Sequence, residues 1–263
     1  MDLGLAEKTV AVMAASKGLG KATALAFAME GATVYISSRQ EAELHKTRDE
    51  IISATNNKDV HAITCDVSDE GAITSFFTQV AEKSGGVDIL INNVGGPAPG
   101  GFNDVQDSDW LSAFEKNLLS YIRTSRAVLP YMKERQFGRI VNISSSSTKE
   151  VIDGLILSNT FRAGMVGFAK TLAREVAADN ILVNTVGPGR ISTDRMTELN
   201  AENAKKQGIS AEEMLGRSIA QIPAGRLGTP DEFAQIIVFL ASPANAYLTG
   251  QSLVVDGGLL KAL

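Results

Sequence analysis

The run most able to do chemistry is Ala14-Ala15-Ser16-Lys17-Gly18-Leu19-Gly20, between a β-rich segment (TVAVMA) and a helical pattern (KATALAFAMEG). Glycines in such a turn let the main chain approach a phosphate. The helix that follows offers free N–H groups and a partial positive charge. The spacing differs from the G-x-G-x-x-G dinucleotide fingerprint, and an ordinary strand–turn–helix junction is the plainer alternative. A second short run, Ser37-Ser38-Arg39, follows the next β-rich segment. A carboxylate there would hold ribose hydroxyls, whereas an arginine grips a 2′-phosphate. With Lys17 and Arg39 present and no acid at positions 37–39, a nucleotide in this place is expected to be NADP(H) rather than NAD(H). Solvated surface charges are the alternative for both cations.

Other reactive side chains are scarce. The 263 residues include one cysteine (Cys65), two histidines (His45, His61) and four tyrosines (Tyr35, Tyr121, Tyr131, Tyr247). A single cysteine excludes an intrachain disulfide and a cysteine-rich zinc site. Two separated histidines argue against a histidine-based metal centre or a Ser-His-Asp relay. The 25 basic and 30 acidic residues give a net charge of −5, which argues against a nucleic-acid coat or a polybasic membrane binder. The remaining chemistry must run on backbone, hydroxyls, Lys or Arg, carboxylates or a cofactor. No segment reaches the roughly 18 apolar residues of a membrane span, and Met1–Lys8 has no cationic or apolar leader pattern. A soluble cytoplasmic protein is expected.

These groups need a scaffold, and the chain supplies regular alternation. Strands are expected over Thr9–Ala14, Thr33–Ser37, Val60–Cys65, Val87–Ile91, Arg139–Ile143, Ile181–Val186 and Gln251–Val255. Helical spacing occupies Gly20–Glu30, Ala42–Ala54, Glu70–Ser84, Trp110–Arg135, Thr160–Ala178 and Asp231–Leu240. Such alternation implies α/β architecture: one doubly wound, Rossmann-type domain over residues 1–263, a parallel sheet of about seven strands with helices on both faces. The polar, partly helical stretch 191–221 is expected to be a substrate loop or lid. His45 and His61 read as structural or surface residues, Cys65 as a buried inert thiol, and Trp110 as a packing anchor.

Taken in order, the motifs resemble the short-chain dehydrogenase/reductase family, whose Gly-x-x-x-Gly-x-Gly turn is met here by Gly18 and Gly20, with Ala14 in place of the first glycine. That exchange allows binding only if Ala14 has a negative φ and its methyl fits. Asp66-Val67 matches the family's adenine-contacting pair. Asn92-Asn93-Val94-Gly95 resembles its Asn-Asn-Ala-Gly turn, and Asn117 falls at its active-site asparagine. Arg139–Ser145 (RIVNISS) resembles the strand ending in the catalytic serine, Ser145. Pro188-Gly189, with Ile191 and Thr193, resembles the nicotinamide-side loop, and Leu248–Gly258 the family's ending. The match covers nearly the whole chain and looks closest to 3-oxoacyl-[acyl-carrier-protein] reductases. It implies cofactor contacts from Ser16, Lys17, Gly18, Leu19, Gly20, Ser38, Arg39, Asp66, Val67, Asn93, Gly95, Arg162, Pro188, Gly189, Ile191 and Thr193. It also implies a homotetramer whose faces surround Asn117 and Arg162, and no metal.

The chain departs from the family where proton transfer happens. The run Phe161–Phe168 aligns with the family's Ser-Lys-Ala-Gly-x-x-Gly-Phe, so Arg162 occupies the lysine slot of Tyr-x-x-x-Lys and Ser158 the tyrosine slot. An aliphatic hydroxyl is a far poorer acid than a phenol, and Arg162 keeps its proton throughout. Asn117, Ser145, Ser158 and Arg162 are therefore the candidate catalytic set of an atypical site. Lys149, Glu150, Asp153, Arg190 and Tyr121 are possible substitutes, each with a surface or packing role as its alternative. The expected function is an NADP(H)-dependent oxidoreductase acting on a carbonyl or a conjugated enone. The alternative is a non-catalytic NADP(H)-binding sensor or scaffold.

Overall fold

The structure is a computed structural model and describes residues 2–262. Seven parallel strands run β1 (Thr9–Val12), β2 (Thr33–Ser38), β3 (Val60–Thr64), β4 (Ile89–Asn92), β5 (Gly138–Ile143), β6 (Ile181–Pro188) and β7 (Ser252–Val255). Their spatial order is β3-β2-β1-β4-β5-β6-β7. Helices α1 (Gly18–Met29), α2 (Glu41–Thr55), α3 (Glu70–Ser84), α4 (Asp107–Phe114), α5 (Ser120–Glu134) and α6 (Ile156–Val176) join the first six strands. The helices α7 (Asp194–Gln207), α8 (Ala211–Ala220) and α9 (Pro230–Ala241) precede β7. The α/β class, the parallel sheet and the helices on both faces agree with the sequence pattern.

Alternation along β1 shows why both faces are covered. Val10 and Val12 join Phe27, Leu44, Phe233 and Ile237 on the α1/α2/α9 side. Ala11, and Met13 just past the strand end, join Phe76, Val128 and Leu172 on the α3/α5/α6 side. A strand buried on both faces therefore reads as a continuous apolar run. Strand order reverses between β1 and β4, and in open α/β sheets the crevice at the carboxyl ends of such a pair is where ligands bind.

Three expected boundaries need correction, and each bears on the crevice. Strand β1 stops at Val12, because Ala14 adopts φ +47° and turns the chain before the sheet ends. The expected helix Trp110–Arg135 is interrupted: a π-type turn at Glu115–Leu119 separates α4 from α5. Such wide turns displace one residue from the helical repeat and favour functional sites; here the displaced stretch contains the buried Asn117. Helix α6 begins at Ile156 rather than Thr160, so Ser158 lies in its first turn.

Candidate active site

The glycine turn after β1 is built from backbone constraints. Gly20 packs so closely that a Cβ would stand 2.6 Å from the Ala14 carbonyl oxygen and 2.8 Å from Asn93 Nδ2. Asn93 Nδ2 donates to that same carbonyl at 3.0 Å, tying the β4 end to the turn. The condition set for Ala14, a negative φ, is not met: the residue sits in the left-handed region at +47°. The turn requires that conformation whichever residue supplies it, and alanine adopts it at a cost of about 1–2 kcal/mol. Lys17 forms the N-cap of α1 without a side-chain bond, and no acid occupies the first helical turn. The first N–H groups thus remain available to an anion.

A cleft of about 1160 Å³ opens from this turn across the carboxyl ends of the strands. At one end lie Ser16, Lys17, Gly18, Leu19, Ser38 and Arg39, with Asp66 and Val67 beside them. Asn93 and Gly95 line its middle. Ser145, Ser158 and Arg162 stand further along, near Pro188, Gly189, Ile191 and Thr193. Two expected site residues lie behind the wall: Gly20 is buried under Ala14, and Asn117 is buried beside Arg162. Of the possible substitutes, Asp153 and Arg190 line the cleft, whereas Lys149, Glu150 and Tyr121 do not.

Arg162 organises the inner end. Its side chain is 3 % exposed, and no Asp or Glu forms an ion pair with it among the described residues. Nη1 donates to Tyr121 Oη at 3.1 Å and to the Ile143 carbonyl at 3.2 Å, and Nη2 donates to Asn117 Oδ1 at 3.0 Å. Tyr121 in turn donates to the Ile143 carbonyl at 2.8 Å. All three acceptors are neutral, so the guanidinium charge is left without a counter-ion, an expensive arrangement in a buried place. Arg162 Nε and Asn117 Nδ2 are buried with no hydrogen-bond partner. Ser145 Oγ accepts from the Ser147 amide at 3.1 Å, which leaves its hydroxyl proton free to donate. Ser158 is buried at the cleft wall one helical turn before Arg162.

The sequence offers Tyr121 either as a substitute acid or as a packing residue against a neighbouring helix. Its buried phenol instead braces Arg162 from below; its position four residues after Asn117 was the available signal. The carbonyl of Ile143 carried no signal, because backbone acceptors are invisible to residue type. Arg190 bonds the Ser218 carbonyl and Gln221 Oε1 at the end of α8, and burial lowers its pKa. Trp110 meets Phe161 edge-on with ring centroids 5.9 Å apart, a packing contact as expected. Cys65 is buried, and His61 stacks against Tyr35. Among the described residues no cluster suited to a metal ion occurs, and no helix is long and apolar enough to cross a membrane.

A seven-stranded parallel sheet with a glycine turn at its switch point defines a Rossmann-like α/β fold. The chain belongs to the short-chain dehydrogenase/reductase family: the family profile described as enoyl-(acyl carrier protein) reductase matches residues 13–260. The NADPH-dependent reductase BacG of Bacillus subtilis is 31% identical over 98% of this chain and 100% of its own. The 3-oxoacyl-[acyl-carrier-protein] reductase FabG of Vibrio cholerae is 36% identical over 98% and 99%. Among solved structures, a short-chain oxidoreductase from Pseudomonas aeruginosa PAO1 superposes with a TM-score of 0.89 at 29% identity, covering 99% of both chains. That protein is NADPH-bound and described as containing an atypical catalytic center.

Proposed function

We propose that this protein is an NADPH-dependent reductase that adds hydride to a carbon–carbon double bond conjugated to a carbonyl. The observation that carries this reading is the buried Arg162 guanidinium, which reaches the cleft with no carboxylate to neutralise it. Such a fixed charge in a desolvated wall favours a developing oxyanion. In conjugate reduction hydride goes to the β-carbon and the electron pair moves to the carbonyl oxygen. That oxygen needs stabilising, and the proton can arrive later from water at the α-carbon. Ketone reduction needs the oxygen protonated at once, and Ser158 is poorly suited to that.

The cofactor reading rests on the fit of the turn: the close approach at Gly20, the unblocked α1 N-terminus, and a cleft long enough for a dinucleotide. Gly18 and Leu19 would hold the pyrophosphate, with Gly20 behind them allowing the turn to pack; Ser16, Lys17, Ser38 and Arg39 the 2′-phosphate; Asp66 and Val67 the adenine. Asn93, Gly95, Pro188, Gly189, Ile191 and Thr193 would flank the nicotinamide side. When bound, the nicotinamide supplies the hydride. Ser145 donates a hydrogen bond to the substrate oxygen, Arg162 stabilises the charge that develops there, Ser158 completes the polar wall, and Asn117 orients Arg162. NADPH in the described relatives supports the cofactor choice.

Residues 191–221 serve as the substrate lid of a single domain. Support comes from α7, whose Arg195 reaches the Pro97 carbonyl at 3.4 Å. The active form is a cytoplasmic homotetramer; exposed Leu111 and Phe114 beside the Trp110–Phe161 contact suit a subunit face. The reading is tested by following NADPH oxidation with β-ketoacyl thioesters, ketones and enones, in the wild type and in a Ser158→Tyr/Arg162→Lys double variant. Enone turnover in the wild type and ketone turnover gained by the variant are expected. Tight NADPH binding with no turnover of any class would instead favour a sensor or scaffold.

A further inference from the structure

The 2′-phosphate end of the cleft contains an acid that belongs to neither end of β2. Glu43, half-buried in the first turn of α2, lines the cleft with Ser16, Lys17, Ser38 and Arg39. Ser16 Oγ donates to Glu43 Oε2 at 3.3 Å. No Lys or Arg forms an ion pair with Glu43 among the described residues, although Lys17 and Arg39 line the same end of the cleft. An acid in a first helical turn has a simple structural use, complementing the helix dipole. Exposed Glu41 already fills that use in the same turn.

We infer that Glu43 narrows the protein's discrimination between NADPH and NADH, an inference that rests on the dinucleotide reading above. Its charge opposes a 2′-phosphate held by Lys17 and Arg39, and it competes for the Ser16 hydroxyl that would otherwise face that phosphate. Toward NADH the same carboxylate is an asset, because it accepts a hydrogen bond from a free 2′-hydroxyl, as an acid at the end of β2 does elsewhere in such folds. The two cations still place NADPH ahead, by a smaller margin than they alone would give.

The test is equilibrium titration of NADPH and of NADH into the wild type and Glu43→Gln, read by nicotinamide fluorescence, with a melt of each ligand-free protein. Glu43→Gln should tighten NADPH about three- to tenfold, an effect that shrinks as salt is raised. NADH should weaken about two- to fivefold as the carboxylate acceptor is lost. Glu43→Ala, which keeps good helix propensity, repeats the comparison if the glutamine variant folds poorly. A NADPH-to-NADH ratio unchanged within about twofold while both nucleotides bind would overturn the inference alone. Binding of neither nucleotide to the wild type would overturn it together with the dinucleotide reading.

Discussion

Arg162 Nη2 donates to Asn117 Oδ1 at 3.0 Å, joining the first turns of α6 to the π-type turn between α4 and α5. The other terminal nitrogen of the same fork serves Tyr121 and the Ile143 carbonyl. A lysine ammonium is a compact point charge without a planar fork and cannot hold all three acceptors in these directions. Arg162→Lys should therefore lower enone turnover by about 10- to 100-fold, while NADPH affinity changes much less. Steady-state kinetics alongside a nucleotide titration separates the two effects.

Tyr121→Phe removes one hydroxyl that both donates to Ile143 and accepts from Arg162. The ring is buried and stays, so packing is kept. The loss should destabilise the protein by about 1–2 kcal/mol, measurable by urea unfolding. It should also lower kcat with little change in nucleotide affinity, because the phenol braces Arg162 and does not line the cleft. Unchanged kcat would remove the bracing role.

Ala14→Gly relieves a side chain held at φ +47°. The gain is partly offset by the greater freedom of glycine in the unfolded chain, leaving about 0.5–1 kcal/mol of added stability. The melting temperature should rise by about 1–3 °C, with the turn's geometry unchanged.

Burial pushes the Cys65 thiol up to about 12, with Asp66 and Asp69 adding to the shift. The native thiol should resist a thiolate-directed reagent at pH 8 and react on unfolding. Below the ordinary value of 9.0 both states hold the proton, and the stabilising difference is fully present. Between pH 9 and 12 the unfolded chain ionises first, and stability falls. Cys65→Ser should flatten that alkaline fall in a series of denaturation curves.

Much of this site was legible because its determinants are local. Gly18 and Gly20 after a β-rich run, Arg39 after the second strand, and Ser145 after the fifth are each set by the chain's own alternation, and the cleft gathers them. What escaped the sequence depends on contacts across elements. The left-handed Ala14 belongs to a turn in which Gly20 packs beside its carbonyl and Asn93 donates to it. The π-type turn at Asn117 interrupts an otherwise uniform helical period. Glu43 lies one turn beyond the positions where a nucleotide-selecting acid is sought, and only the packing of α2 brings it to Ser16.

In the proposed reaction an uncompensated arginine, rather than a tyrosine acid, governs the fate of the substrate oxygen. The most direct measurement compares NADPH oxidation with an α,β-unsaturated ketone and with its saturated counterpart, identifying the product of each. Reduction of the carbon–carbon bond is expected, with the saturated ketone turned over at least about 100-fold more slowly. Equal turnover of the saturated ketone to its alcohol would contradict it.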